Sequence, residues 1–111
     1  RGLHLKHFYS EVIPKGKKDM AWELSSTGFL MTLSGYIPEL IEEDFEPLVV
    51  RSLQNTVISR DSVTHWCVHP GGKKILEAIN KSLRLQENSL SQSYEILRQY
   101  GNMSSPTVLV L

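Results

Sequence analysis

Hydrophobic residues recur along this chain with two different periods, and the changes between them mark the elements. From Gly2 to Tyr9 the pattern alternates, with Leu3, Leu5 and Phe8 as the inward positions of a strand. Ile13 to Lys18 is polar and broken by Pro14 and Gly16, so it reads as a turn region. Met20 to Leu24 and Gly28 to Ser34 read as two strands joined around Ser25, Ser26 and Thr27. After Pro38, whose missing N–H is harmless in a first turn, the period lengthens. Leu40, Ile41, Phe45, Leu48, Val49, Leu53 and Val57 make a stripe that predicts a helix reaching about Ser59. Pro47 lies inside that stripe and predicts a kink, or a fresh start capped by Asp44.

Val63 to His69 is short and rich in β-branched and aromatic residues, and predicts a buried strand. A helix follows Pro70, with Ile75, Leu76, Ile79 and Leu83 on one face. Another begins near Ser89, carries Leu90, Tyr94, Leu97 and Tyr100, and stops at Gly101, a residue suited to positive φ after a helix. Pro106 to Leu111 reads as a last strand. Strands and helices in this order predict helices packed on a mixed sheet, an α/β architecture.

Composition narrows the function without choosing it. The chain has 111 residues, 41% hydrophobic and 22% charged, enough for one domain with a core. Twelve basic residues balance twelve acidic ones, which gives no electrostatic reason to bind nucleic acid or an anionic membrane. The lysines at 15, 17 and 18 and at 73 and 74 read as solvated faces. A single cysteine excludes an internal disulfide and fits a reducing, cytoplasmic setting. No apolar run is long enough to span a bilayer, and neither a signal-peptide pattern nor an initiator methionine is present. The final run, Thr107 to Leu111, stops in apolar sequence, so the chain reads as a piece of something longer.

Two places carry candidate chemistry. His69 stands where the predicted strand gives way to a helix, followed by Pro70, Gly71 and Gly72. The proline fixes the first helical φ, and the glycines remove side chains where a ligand or another backbone comes close. Asn102 stands after Gly101 and before Met103-Ser104-Ser105, in a turn between elements. Taken singly, His69 reads as a core histidine and Asn102 as a turn former. Taken together, in α/β layers where sites gather at the ends of strands, they read as two hydrogen-bond donors aimed at one pocket. Cys67 shares a strand face with His65 and His69. A straight strand sets such side chains in a row rather than a tetrahedron, so no metal site is expected, and Cys67 reads as a buried structural residue.

His69-Pro70-Gly71-Gly72 followed by Tyr100-Gly101-Asn102-Met103-Ser104-Ser105 resembles the type III polyketide synthases, the chalcone and stilbene synthase family. Leu76 to Leu83 and Tyr94 to Tyr100 resemble the family's region between these motifs, and Gly28 to Ser34 leading to Ile37-Pro38 resembles its strand before a long helix, so the likeness covers nearly the whole chain. The resemblance implies a thiolase-like fold of two similar halves, of which residues 1–111 would be most of the C-terminal one. It implies an acyltransferase that loads an acyl-CoA starter onto a cysteine, decarboxylates malonyl-CoA and condenses the two, with CoA thioesters as substrates and no cofactor. His69 and Asn102 match the histidine and asparagine of that triad. The cysteine would belong to an N-terminal half with a motif absent here, so the 111 residues alone would be inactive.

The resemblance also places Met31 at a gate between CoA tunnel and cavity, Trp22 near a cavity wall, and Ser104 beside the catalytic asparagine. A tryptophan on that wall would reduce the room for chain extension. Gly71, Gly72 and the backbone near Lys73 and Lys74 would meet the pantetheine arm. Partners implied are the missing half and a second copy, since the family is homodimeric; neither nucleic acid nor membrane is expected. A large exposed apolar patch is expected on the isolated piece. Two rivals stand beside this reading. One is an initiating ketoacyl-carrier-protein synthase, whose histidine is usually followed by a Gln-Ala-Asn type sequence. The other is a binding or assembly module without catalysis.

Overall fold

The computed structural model describes residues 2–111, in the order β1 (Met20–Ser25), β2 (Gly28–Leu33), α1 (Ile37–Leu53), α2 (Lys73–Leu83), α3 (Ser91–Tyr100) and α4 (Pro106–Leu109). Short 3-10 turns stand at Pro14–Gly16 and Arg60–Ser62.

α1 and α2 make the main helical contact, and the reason is their apolar faces. Leu76, Ile79 and Leu83 of α2 are buried with Val49 of α1 and Leu90, and Ile41, Phe45 and Leu53 pack around them. The spacing of these positions matches the predicted stripes. Pro47 lies inside a helix that nonetheless runs through it. Beside it, the Glu46 N–H donates to Ser82 Oγ of α2 at 3.2 Å, so the neighbouring helix takes up a backbone group next to the proline. α1 ends at Leu53 rather than near Ser59. Thr56 turns the chain there, its N–H and hydroxyl both donating to the Leu53 carbonyl, and Val57 is fully exposed. Ion pairs Lys81–Glu42 (3.2 Å) and Arg84–Glu46 (3.4 Å) cross the exposed rim of this contact, where such pairs add little.

β1 and β2 form an antiparallel hairpin closed by Ser26 and Thr27, as the sequence indicates. Its register sets Met20 opposite Leu33, Trp22 opposite Met31 and Leu24 opposite Phe29. These six apolar side chains share one face, because alternate residues do. All are exposed, Leu24 by 80% and Phe29 by 71%. The expected apolar patch is therefore present. Accessible surface totals 8837 Å², against roughly 6,200 Å² for a folded monomer of this mass.

Three expected strands are not strands among the described residues, where the hairpin is the sheet. Gly2 to Tyr9 is irregular and exposed. Val63 to His69 is irregular backbone in place of a paired strand. Alternation survives there: Trp66 and Val68 pack against the core while His65, Cys67 and His69 are exposed. Cys67 is accordingly not buried; its thiol faces outward, 3.6 Å from the Val108 carbonyl. Pro106 to Leu109 is a helical turn, because Pro106 suits a helix start and Thr107 N–H donates to the Ser104 carbonyl at 3.0 Å. Among the described residues, no helix is long and apolar enough to cross a membrane.

The segment before β1 is tied to α1 by Glu11 and Arg51, whose Nε donates to Glu11 Oε1 at 2.8 Å. Hydrogen bonds from Arg51, then from Tyr9, hold the Glu11 carboxyl down at about 2.

Two outcomes test this packing. Leu83→Ala in the intact protein is expected to cost about 2–5 kcal/mol in chemical denaturation, since the side chain is fully enclosed. A depressed carboxyl stabilises the fold above its ordinary range near 4.5 and ceases to do so as pH falls toward 2. The stability difference between wild type and Glu11→Gln should therefore be constant near neutrality and vanish across that acid window.

Candidate active site

His69 owes its position to its neighbours. Val68 before it faces the core, and its carbonyl accepts the Ser93 hydroxyl of α3 at 2.6 Å, with Ser93 itself buried. Pro70 after it is buried as well. With both neighbours turned inward, the imidazole projects outward. Gly71 then donates its N–H to the His69 carbonyl at 3.0 Å, a tight three-residue turn. The Leu76 N–H bonds to the Gly72 carbonyl at 3.1 Å and starts α2.

At Gly71 the imidazole stands at ordinary contact distance from the backbone, and the Ile75 side chain stands closer. A Cβ there would lie 3.7 Å from His69 Cδ2, 3.9 Å from Nε2 and 3.2 Å from Ile75 Cδ1. Gly72 is different: its φ of 169° is extended backbone, and a Cβ would meet nothing within 4 Å. It lines an open groove of about 360 Å³ with Lys73, Lys74 and Ile75 on one side and Leu33, Ser34, Gly35, Ile37 and Pro38 on the other.

Asn102 reaches the same glycine from the other direction. Gly101 closes α3, its N–H donating to Leu97 O at 2.9 Å, with φ 70° and ψ −163°. That region is essentially closed to residues with a Cβ. Beyond it, Asn102 Oδ1 accepts the Ser104 N–H at 2.9 Å, and Nδ2 donates to the Gly71 carbonyl at 3.3 Å. A donor on one side and an acceptor on the other fix which way the carboxamide points. One amide hydrogen is committed to Gly71, leaving the second to donate elsewhere. Gly71 thus has the His69 ring near its Cα and the Asn102 carboxamide on its carbonyl, and both His69 and Asn102 are exposed.

Ser104 sits in the same turn at φ 64°. Trp22 and Met31 form a separate group, opposite one another on the hairpin, with Trp22 edge-on to Phe29 at 6.4 Å between ring centres. The structure therefore brings together His69, Gly71, Asn102 and Ser104. Gly72 and Lys74 share the adjoining groove, which reaches Leu33 at the end of β2. Sequence reasoning missed Ser93 and Thr107, both buried polar residues that hold the loops. An alternation that turns Val68 inward was a signal that its carbonyl needed a partner.

Residues 4–111 match the family model for the C-terminal domain of chalcone and stilbene synthases. The chain belongs to that family. It is similar to 3,5-dihydroxyphenylacetyl-CoA synthases of Amycolatopsis orientalis (34% identical over 88 residues) and Streptomyces toyocaensis (33% over 104 residues). These matches cover 79% and 92% of this chain and 24% and 27% of the relatives. A Bacillus subtilis protein named for chalcone synthase is 37% identical over 99 residues, covering 88% of this chain and 27% of that one.

Among solved structures, PKS-I of the brown alga Ectocarpus siliculosus superposes with a TM-score of 0.77 at 33% identity, over 85% of this chain and 25% of that one. The C-terminal type III polyketide synthase domain of Steely1 from Dictyostelium gives 0.74 at 30% identity, over 90% and 29%. The thiolase-like α/β fold follows from these likenesses, and family membership favours the polyketide synthase reading over the carrier-protein synthase. The chain spans about a quarter of the length of the relatives it matches.

Gly101→Ala tests the turn that delivers Asn102. Forcing a Cβ into that backbone region is expected to lower stability by about 1–3 kcal/mol. Thermal unfolding of the intact protein measures it, and Gly72→Ala, with open space and extended backbone, should shift the midpoint far less.

Proposed function

We propose that residues 1–111 are the greater part of the C-terminal half of a type III polyketide synthase, and that His69 and Asn102 stabilise the oxyanion of a CoA thioester during decarboxylative condensation. The Asn102 carboxamide, doubly anchored and bonded to the carbonyl of the glycine that the His69 ring packs against, carries this reading. The nucleophilic cysteine would come from the N-terminal half of the same protein. Dimerisation of the full enzyme and a cytoplasmic setting belong to the same proposal.

The chemistry runs in two half-reactions. In the first, the cysteine thiolate attacks the starter thioester, and CoA leaves as its thiolate. An imidazole near that cysteine favours its ionised form. In the second, the C–C bond to the malonyl carboxylate breaks, CO₂ departs, and the electron pair moves onto the thioester oxygen. The resulting enolate carbon attacks the cysteine-bound acyl carbonyl. A new C–C bond forms and the cysteine thiolate is released.

Charge on that oxygen is what the donors must meet. Preorganised N–H groups lower the barrier because they need not reorient as charge develops. A carboxamide suits this role, since it donates a hydrogen bond without surrendering a proton that would quench the enolate. The uncommitted amide hydrogen of Asn102 is the one available for it.

The groove from Leu33 to Lys74 is the proposed path of the pantetheine arm, with Gly72 leaving room and Lys74 at its rim. Met31 and Trp22 are proposed as gate and wall of the acyl cavity, supported by their facing positions on the apolar side of the hairpin. In that role the bulk of Trp22 limits the length of the growing chain.

The full-length protein tests the division of labour. Asn102→Asp is expected to lower malonyl-CoA decarboxylation about 10²–10³-fold, followed as release of labelled CO₂. Acylation of the cysteine by a starter, followed by mass spectrometry, should stay close to wild type. Equal loss of both half-reactions, or full decarboxylation activity in the variant, would overturn the reading, and a full-length wild-type protein that runs neither half-reaction would support the non-catalytic module instead.

A further inference from the structure

One hydroxyl organises the turn that holds Asn102, and nothing in the chemistry above uses it. Thr107 is fully enclosed although it is polar. Its Oγ1 accepts the Met103 N–H at 2.7 Å and donates to the Ser104 carbonyl at 2.7 Å. The Thr107 N–H reaches that same carbonyl at 3.0 Å. Met103 and Ser104 are the two residues that follow Asn102, and Ser104 lies at φ 64°, where a serine stays only if its surroundings impose it.

These bonds form a chain of dependence. The Asn102 carboxamide is oriented by the Ser104 N–H. Ser104 is held in its left-handed conformation by Thr107, through its carbonyl and through the adjoining Met103 N–H. If the hydroxyl is lost, the Ser104 carbonyl keeps the Thr107 N–H, but Met103 N–H loses its bond. The turn is then free to relax, and the Ser104 N–H that aims the carboxamide moves with it.

We infer that Thr107 is a positioning residue for the Asn102 donor, setting the direction of its free amide hydrogen. This inference rests on the proposed function, because it assumes that Asn102 serves decarboxylation. Thr107 touches no reacting atom. It acts through two backbone groups, so its effect should fall on the rate of the step that needs Asn102 rather than on substrate binding.

The test uses the full-length enzyme with Thr107→Val, which keeps the shape and removes the hydroxyl. Displacing a catalytic donor by a fraction of an ångström to about 1 Å costs roughly 10- to 100-fold. A fall of that size is expected in kcat for malonyl-CoA decarboxylation, with KM for malonyl-CoA and the rate of starter loading both unchanged. Thr107→Ser, which restores the hydroxyl, should recover decarboxylation. Should the valine variant fail to fold, Thr107→Ala carries the same comparison.

The outcomes separate cleanly. If Asn102→Asp cripples decarboxylation but Thr107→Val does not, the positioning role is overturned and the proposed function stands. If starter loading falls in parallel with decarboxylation, Thr107 is merely structural and the inference also fails. If Asn102→Asp itself leaves decarboxylation intact, the underlying reading of the site is what fails.

Discussion

The 2.6 Å hydrogen bond from the buried Ser93 to the carbonyl of the partly buried Val68 sets the terms for the whole site. Residues 63–69 are irregular backbone in which the side chains still alternate from His65 on, and no strand lies beside them among the described residues. Their backbone groups must find partners by other means, since an unpaired buried carbonyl is costly. α3 supplies one hydroxyl, and Pro70 has no N–H to satisfy. Trp66, Val68 and Pro70 therefore stay inward, and His69 is held outward by default. The buried stripe of α2 then fixes the start of that helix, where Gly71 meets both His69 and Asn102.

Much of this frame was legible in the sequence because it depends on period and on glycine chemistry. The α2 stripe, the hairpin and the stop at Gly101 each follow from local rules, and each appears where expected. The strand expected at the end of the chain was misread for a different reason. Thr107, Val108, Leu109 and Val110 favour a strand by composition, but Ser104 offers its carbonyl to Thr107 and Pro106 presets a helical φ. Local turn chemistry won over side-chain preference. Gly2 to Tyr9 and Val63 to His69 failed as strands because pairing needs a neighbour, which no single-chain pattern supplies. Cys67 is exposed for the same reason.

Asn102 uses both ends of its carboxamide. As a turn former it uses Oδ1, which takes the Ser104 N–H in the manner of an Asx turn. As a donor it uses Nδ2, which reaches across to Gly71. The carboxamide is bifunctional, so the turn that looked like the bland alternative is what aims the amide group. The bond to Gly71 was not visible from spacing, because Gly71 and Asn102 meet only after α2 and α3 have packed.

Geometry and dielectric have separate origins in this site. The orientation of His69 and Asn102 is set inside this chain, by the turns at Gly71 and Ser104 and by the bonds that Ser93 and Asn102 make across the packed helices. Their electrostatic strength is another matter, because a donor facing water gains little from a developing charge that water already solvates. In the proposed reaction, the low dielectric must come from surface that covers the pair and from whatever packs on the apolar side of the hairpin, where Trp22, Leu24 and Phe29 stand exposed. Covering that surface removes solvent without having to create the arrangement. Aim can therefore be built locally in a chain that spans a quarter of its relatives' length, while the power of the same groups depends on what closes over them.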